Sequence, residues 1–212
     1  MGSIKRMVLT GGPCAGKSSS LELIREYLKN NGYIVFVVGE SATEMINSGI
    51  KCFGDNCLAV VDFEEILLNY QLEKDRIVDS VVNNYYKDKD VVIIYDREII
   101  DFKAYVSNED FYDLLNKYNL SELDILNKFD LVIHLETAAN GKDYTNLNNK
   151  ARSETEKEAI DLDNKVYEAW KKHNNLIKIR CYDNFIDKQK EIIRICEENL
   201  IKKEVKKLKL VK

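Results

Sequence analysis

The stretch Gly11-Gly12-Pro13-Cys14-Ala15-Gly16-Lys17-Ser18 fits the pattern G-x-x-x-x-G-K-[ST] of a phosphate-binding loop, or P-loop. An apolar run, 7–9, comes directly before it, and a segment with helical spacing follows. In this strand–turn–helix context, backbone N–H groups and the positive end of the helix dipole surround a phosphate. An incidental glycine-rich turn is the alternative. We predict a nucleotide site formed by this stretch and Ser19, in which Lys17 reaches the outer phosphates and Ser18 ligates Mg²⁺.

The composition is that of one globular domain over residues 1–212. Hydrophobic residues make up 45% of the chain and charged residues 32%, which allows a substantial core. The net charge of −4 gives no global basic field, so we do not expect duplex nucleic acid as a partner. The sequence has no apolar run of the ~18 residues that span a membrane, hence no expected transmembrane segment, and no apolar signal core at its start. These features predict a cytoplasmic protein.

Five apolar runs alternate with helix-like segments, which predicts a parallel sheet covered on both faces. The runs are rich in Val, Ile and Leu and occupy residues 4–10, 33–39, 91–95, 131–135 and 176–180. Right-handed crossovers then give an α/β fold with a doubly wound, five-stranded sheet and its ligand at the carboxyl ends of the strands. Ser153 and Glu156 resemble a capping box that opens a late helix.

The second predicted strand is followed by Glu40 and then by a second acid, Glu44. A carboxylate beside the P-loop is placed to accept a proton from a hydroxyl that attacks the γ-phosphate. Glu40 could instead orient Mg²⁺ through water, or both acids could be first-turn residues favoured by a helix dipole. Glu40 is the stronger candidate for a catalytic residue.

The third predicted strand is followed by Asp96 and Arg97, and then by Asp101. In P-loop proteins, an acidic residue that helps the P-loop hydroxyl to position Mg²⁺ follows an apolar strand, and Asp96 occupies such a position. Arg97 would neutralise charge on a phosphoryl group or a substrate. A structural ion pair is the alternative for Arg97, and Asp101 could merely cap the next short helix.

The segment after the fourth predicted strand is polar, cationic and poor in core residues. This composition is typical of a lid, here over residues 137–153, that closes over phosphates and supplies Arg152. A plain solvated loop has the same composition and is the alternative. A basic helix is predicted over 185–212, and its last part, 201–212, holds six lysines and one acid. Contact with anionic lipid is one interpretation of this tail, and a solvated helix end is the other.

Several strings outside the P-loop jointly resemble one known family. They are ESATEMINSGI at 40–50, Asp96-Arg97 with Glu98 where the family has glycine, HLETAANG at 134–141, YT at 144–145, NNKARSE at 148–154, LD at 162–163 and AWKKH at 169–173. The family is the P-loop group that joins the ribosylnicotinamide kinase domain of the NAD-biosynthesis regulator with the GTP-binding domain of the photoreceptor-channel translocation-defect protein. The resemblance covers about residues 4–180.

The resemblance implies a three-layer P-loop NTPase fold similar to that of nucleoside-monophosphate kinases, with nucleotide bound at the P-loop. It favours the lid interpretation of Arg152. By a more distant likeness to deoxynucleoside kinases, it makes Glu40 a candidate general base. It does not imply one activity, because the family includes both a small-molecule kinase and a GTP-binding protein.

Two functions therefore remain open. In the first, the P-loop holds ATP or GTP with Mg²⁺, and a phosphoryl group passes to a small hydroxyl-bearing acceptor such as a nucleoside. In this case Glu40 deprotonates the acceptor, Ser18 and Asp96 position Mg²⁺, and Lys17, Arg97 and Arg152 stabilise the transferring phosphoryl group. In the second, the chain is a GTP- or ATP-binding hydrolase that acts as a nucleotide-dependent regulatory binding module, in which the γ-phosphate orders the lid and partner surfaces. The choice between ATP and GTP is also open.

Overall fold

The computed structural model describes residues 2–140, 155–182 and 184–201. Its centre is a five-stranded sheet with the order β2-β3-β1-β4-β5, in which every neighbouring pair is parallel. The strands are β1 (Ile4–Gly11), β2 (Ile34–Val38), β3 (Val91–Asp96), β4 (Leu131–Leu135) and β5 (Leu176–Ile179). The five predicted strands are confirmed, and their ends differ from the prediction by no more than one residue.

Helices connect the strands. The α-helices of the described residues are α1 (Lys17–Asn30), α2 (Ser41–Asn47), α3 (Val60–Tyr85), α4 (Asn108–Lys117), α5 (Glu122–Asn127), α6 (Glu156–Trp170) and α7 (Phe185–Cys196). Short 3-10 helices lie at Ile99–Ala104 and Ala138–Asn140, and a π-helical turn, Glu197–Ile201, follows α7.

Helices cover both faces of the sheet and form two cores. In β1, Met7 and Leu9 face the core that α1 and α7 complete, whereas Val8 faces the core that α3 and α6 complete. All three side chains are fully buried, so this strand needs apolar residues at consecutive positions rather than at alternate ones. The predicted three-layer α/β fold is confirmed.

The predicted start of α6 was wrong by two residues. The capping box at the start of α6 is formed by Thr155 and Glu158: the Thr155 hydroxyl accepts from the Glu158 N–H at 3.3 Å, and a Glu158 carboxylate oxygen accepts from the Thr155 N–H at 2.7 Å. Ser153 of the predicted box lies outside the described residues. Two overlapping boxes of equal spacing occur in this stretch, so the pattern alone could not choose between them.

Two predicted features fall partly outside the described residues. Residues 141–153 of the predicted lid, with Arg152, and residues 202–212 of the predicted basic helix are not among them. The described part of the basic helix consists of α7 and the π-helical turn. Within the described ranges, no helix is both long enough and apolar enough to cross a membrane.

Candidate functional site

The P-loop lies between β1 and α1, at the carboxyl edge of the sheet. β1 ends at Gly11 and α1 begins at Lys17, as the motif predicts. Gly11 and Gly16 have φ angles of 143° and 78°, a region that residues with a side chain rarely adopt. A Cβ on Gly11 would also lie 2.1 Å from the carbonyl oxygen of Leu135 in β4. The turn therefore requires these glycines even before a ligand is considered.

Asp163 of α6 accepts a hydrogen bond from the backbone at the start of the P-loop. Its Oδ1 accepts from the Gly12 N–H at 2.8 Å and from the Thr137 N–H at 3.2 Å, and His134 Nε2 lies 3.2 Å from the same oxygen. Burial alone would raise the pKa of Asp163, but His134 and the Gly12 N–H reverse this and hold the pKa below its usual range. Asp163 is thus an ionised anchor that orients one end of the loop.

Two further side chains bond the carbonyl groups of the loop. Thr137, just after β4, donates from Oγ1 to the Pro13 carbonyl at 2.6 Å. Lys188 of α7 donates from Nζ to the Ala15 carbonyl at 3.0 Å, and this lysine is buried. Sequence reasoning missed Thr137 and Lys188 as loop anchors, and it noted Asp163 only within a resemblance. No local signal could have found them, because each lies more than a hundred residues from the loop residue that it bonds.

We expect Gly12→Ala to destabilise the P-loop. A Cβ at this position would lie 2.7 Å from both Cβ and Oδ1 of Asp163, and the backbone of α6 lies close behind. Overpacking of this kind costs about 1–3 kcal/mol of unfolding free energy, and the displaced loop should also bind nucleotide more weakly. Denaturant unfolding and nucleotide titration measure the two effects.

Gly39→Ala is the matched control for this prediction. Its Cβ would meet the movable end of the Glu44 side chain at 2.8 Å, so the side chain can shift aside and the unfolding free energy should change little. Equal losses for Gly12→Ala and Gly39→Ala would contradict the proposed clash with Asp163.

Glu40, Arg97 and Lys17 meet at the carboxyl ends of β1, β2 and β3. The Arg97 Nε donates to Glu40 Oε1 at 2.7 Å, and the Thr43 hydroxyl donates to Glu40 Oε2 at 2.8 Å. Burial would raise the pKa of Glu40, but Arg97 and Lys17 outweigh it and lower the pKa. Glu40 is therefore ionised, as a proton acceptor must be.

The Lys17 ammonium is buried in the P-loop. Its Nζ lies 3.5 Å from the carbonyl oxygens of Gly11 and Gly12. Burial, followed by repulsion from Arg97, lowers the pKa of Lys17 to about 8. The carboxylates of Glu40, Asp96 and Asp101 oppose this shift without reversing it, and a phosphate at this point would add negative charge that favours the ammonium.

The Arg97 backbone is held in a left-handed conformation, with φ of 68°. Its N–H donates to the Leu9 carbonyl at 3.1 Å, which extends the β1–β3 ladder by one bond. Its guanidinium also lies 3.5 Å from Asp101, which in turn accepts from the Thr10 hydroxyl. Burial would lower the pKa of Arg97, but Tyr105 and the carboxylates of Glu40 and Asp101 outweigh it and hold the pKa above its usual value. The arrangement fixes the guanidinium between Glu40 and Asp101.

Glu98 occupies the position at which the resembled family has glycine. Its φ of −156° is an extended conformation that any residue adopts, so glycine is not needed here. Glu98 and Asp101 form a capping box at the start of the 3-10 helix Ile99–Ala104, in which the Glu98 N–H donates to Asp101 at 2.9 Å. Asp101 therefore caps this helix, as one of the two interpretations predicted, and also pairs with Arg97.

The side chains of Asp96 and Ser18 fit a Mg²⁺ that is shared with phosphate. Asp96 Oδ1 is buried and has no hydrogen-bond partner among the described residues, and burial raises the pKa of this carboxyl. Ser18 is exposed at the start of α1. The described ranges contain no group of three His, Cys, Asp or Glu side chains that could hold a metal ion by themselves. This is compatible with Mg²⁺, which in nucleotide sites takes one or two protein oxygens and completes its shell with phosphate and water.

Glu44 stands apart from this cluster. Its two carboxylate oxygens accept from Lys74 at 2.9 Å and from Tyr70 at 2.7 Å, both on α3. Glu44 therefore ties α2 to α3, whereas Glu40 faces Arg97 and Lys17. Arg152, the remaining predicted catalytic residue, lies outside the described residues.

A family model described as an AAA domain matches residues 6–180. The chain belongs to this AAA domain family. The match includes the P-loop and all but the first residues of the sheet, so this AAA domain is a nucleotide-binding P-loop protein. The narrower likeness to the ribosylnicotinamide kinase domain and to the translocation-defect protein stays a prediction.

The AAA domain also resembles a solved structure, the thymidylate kinase from Ehrlichia chaffeensis. The two share 16% identity with a TM-score of 0.59, and the alignment covers 91% of this chain and 98% of the kinase chain. At this identity the likeness shows the fold alone, which is that of a nucleoside-monophosphate-kinase-like P-loop protein. No curated protein matches the sequence.

Proposed function

We propose that this AAA domain is a phosphotransferase that passes the γ-phosphoryl group of ATP or GTP to a small hydroxyl-bearing acceptor such as a nucleoside. The observation that carries the proposal is the placement of Glu40. The Glu40 carboxylate is ionised and accepts a hydrogen bond from Arg97 Nε at 2.7 Å. It lies at the same edge of the sheet as the ammonium of Lys17 in the P-loop. A base and a phosphate anchor that face one space are the elements of phosphoryl transfer to a hydroxyl.

Each residue has a role that follows from its position. Glu40 accepts the proton of the attacking hydroxyl, and Arg97 keeps the carboxylate ionised and oriented. Lys17 stabilises the charge that develops on the transferring phosphoryl group. Asp96 and Ser18 would hold Mg²⁺, which supplies charge neutralisation on the phosphate oxygens.

The charges on the acceptor side favour an acceptor that carries no phosphate. Arg97 is already paired with Glu40 and Asp101, and Lys74 is already paired with Glu44 and the Gly39 carbonyl. A second phosphate group on this wall would meet the carboxylates of Glu40 and Asp101, with Arg97 between them as the cation that could offset its charge. We therefore assign a nucleoside-like acceptor rather than a nucleotide.

A panel of nucleosides and nucleoside monophosphates, incubated with Mg²⁺ and labelled ATP or GTP, tests the proposal. We expect label to pass to at least one nucleoside, and we expect the Lys17→Ala protein, prepared in parallel, to transfer none. Slow hydrolysis with no labelled acceptor would overturn the kinase function and support the regulatory binding module. Transfer to monophosphates alone would overturn the assignment of the acceptor class.

A further inference from the structure

Glu64 of α3 is a buried carboxyl group that the proposed reaction does not use. The residue is 4% exposed, and its Oε2 has no hydrogen-bond partner among the described residues. Native proteins seldom leave a buried polar atom unsatisfied, because it has lost its water without a replacement. A group of this kind at the edge of a ligand space is a candidate for contact with the ligand.

The direction of α3 places Glu64 on the ligand side of the sheet. Asp79 pairs with Arg6 near the start of β1, at 2.8 Å, and Gln71 accepts from Ser41, just past the end of β2, at 2.6 Å. α3 therefore runs from the carboxyl edge of the sheet toward its amino edge. Glu64 lies two turns before Gln71 on the same stripe, which places it about 10 Å farther along the helix axis. Its carboxyl group thus lies beyond the strand ends.

The groups that face Glu64 come from three other elements. Asp101 and Arg97 act on it from the 3-10 helix and from the end of β3. Tyr105 follows the 3-10 helix, and Cys52 lies in the loop between α2 and α3; Glu64 contributes to the raised pKa values of both. Glu64 therefore shares its surroundings with Arg97, the residue that fixes the proposed base.

Glu64 is a neutral acid near neutral pH. Burial, followed by the neighbouring Asp101 carboxylate, raises the pKa of Glu64 to about 8 against the opposing effect of Arg97. A neutral carboxyl offers one O–H donor and one C=O acceptor side by side, whereas an ionised one can only accept. The complementary ligand is an edge that carries a donor and an acceptor on adjacent atoms.

We propose that Glu64 recognises the acceptor by a two-point hydrogen bond to a base edge with adjacent donor and acceptor groups. This inference rests on the proposed function, because it assumes that the acceptor lies between Glu40 and α3. The Glu64 O–H donates to the ring nitrogen or carbonyl oxygen of the base, and the Glu64 carbonyl accepts from the N–H beside it. The acceptor class is thereby narrowed to nucleosides with such an edge.

Matched nucleoside pairs test this inference by calorimetry, with the P-loop filled by Mg²⁺ and a non-hydrolysable ATP analogue. The pairs are adenosine with purine riboside, which lacks the exocyclic N–H, and uridine with 3-methyluridine, which lacks the ring N–H. In the native protein at about pH 6.5, we expect at least one parent nucleoside to bind roughly tenfold more tightly than its partner. Glu64→Ala should abolish this preference, and Glu64→Gln should keep it, because an amide also donates and accepts.

The pH dependence separates recognition from a structural role. As the pH rises from about 6.5 to about 9.5, Glu64 loses its donor, so the preference for adenosine over purine riboside should fall in the native protein. Glu64→Gln should show no such fall. Glu73→Gln, an exposed acid on the same helix, is the control and should behave like the native protein.

The outcomes distinguish this inference from the proposed function. Equal binding of each pair to the native protein, a preference that survives Glu64→Ala, or no binding of any of the four nucleosides would overturn the role of Glu64. Binding with the expected preference but without phosphorylation in the labelled-nucleotide assay would overturn the phosphotransferase function and leave the recognition role standing.

Discussion

Lys17→Ala is expected to weaken nucleotide binding by about 10- to 100-fold, because a charged hydrogen bond to phosphate is worth roughly 1.5–3 kcal/mol. The lysine lies 3.5 Å from two carbonyl groups of its own loop, and burial already disfavours its charge. In the free protein the attraction of Glu40, Asp96 and Asp101 does not offset the effects of burial and of Arg97, so a phosphate in direct contact would stabilise the ammonium further. Titration with a fluorescent nucleotide measures the loss.

The stability of the Lys17→Ala protein shows whether the loss of nucleotide affinity comes from the missing phosphate contact or from unfolding. Because burial and Arg97 lower the pKa of Lys17, the charge is on balance unfavourable in the folded protein, and its removal should leave the unfolding free energy unchanged or raise it. Lys29→Ala, at the exposed end of the same helix, removes the same charge away from the loop and should bind nucleotide normally. Unchanged nucleotide affinity in Lys17→Ala would contradict a phosphate-binding role for the loop.

Glu40→Gln is expected to lower kcat for acceptor phosphorylation by about 10²–10⁴-fold with little effect on nucleotide affinity. The amide keeps the shape and the contact with Arg97 but cannot accept the proton of the attacking hydroxyl. The measurement is steady-state phosphorylation of the best nucleoside from the panel, with nucleotide affinity determined in parallel.

Glu44→Gln is the matched control for this second prediction. Glu44 lies one turn away and pairs with Lys74 and Tyr70 rather than with Arg97, so its replacement should leave kcat within about twofold of the native value. If Glu40→Gln and Glu44→Gln reduce kcat equally, Glu40 is not the base, and the loss comes from disturbance of α2.

Local sequence determined the frame of the fold. The strands could be predicted because buried parallel strands need consecutive apolar residues, and Met7-Val8-Leu9 shows this pattern directly. The start of α6 could not be predicted, because Ser153–Glu156 and Thr155–Glu158 have the same capping pattern. The choice between the two boxes depends on how the chain before α6 packs against the rest of the protein, and no short sequence pattern contains that information.

The candidate site was only partly predictable. Glu40, Asp96 and Arg97 could be proposed because the carboxyl ends of parallel strands meet at one edge, so polar residues there converge. The environment of each residue could not be read from its position. Glu44 lies one helical turn after Glu40 but faces α3, and the environment of Glu64 is set by its burial beside Arg97 and Asp101.

The sequence by itself determined that this chain forms a P-loop on a parallel sheet, because the glycine spacing, the apolar strand and the following helix are all local features. Only the tertiary structure decided how that loop is held. Asp163, Thr137 and Lys188 come from remote parts of the chain and bond the loop backbone. Such contacts depend on which elements pack together, so they are a property of the folded chain and not of any segment in it.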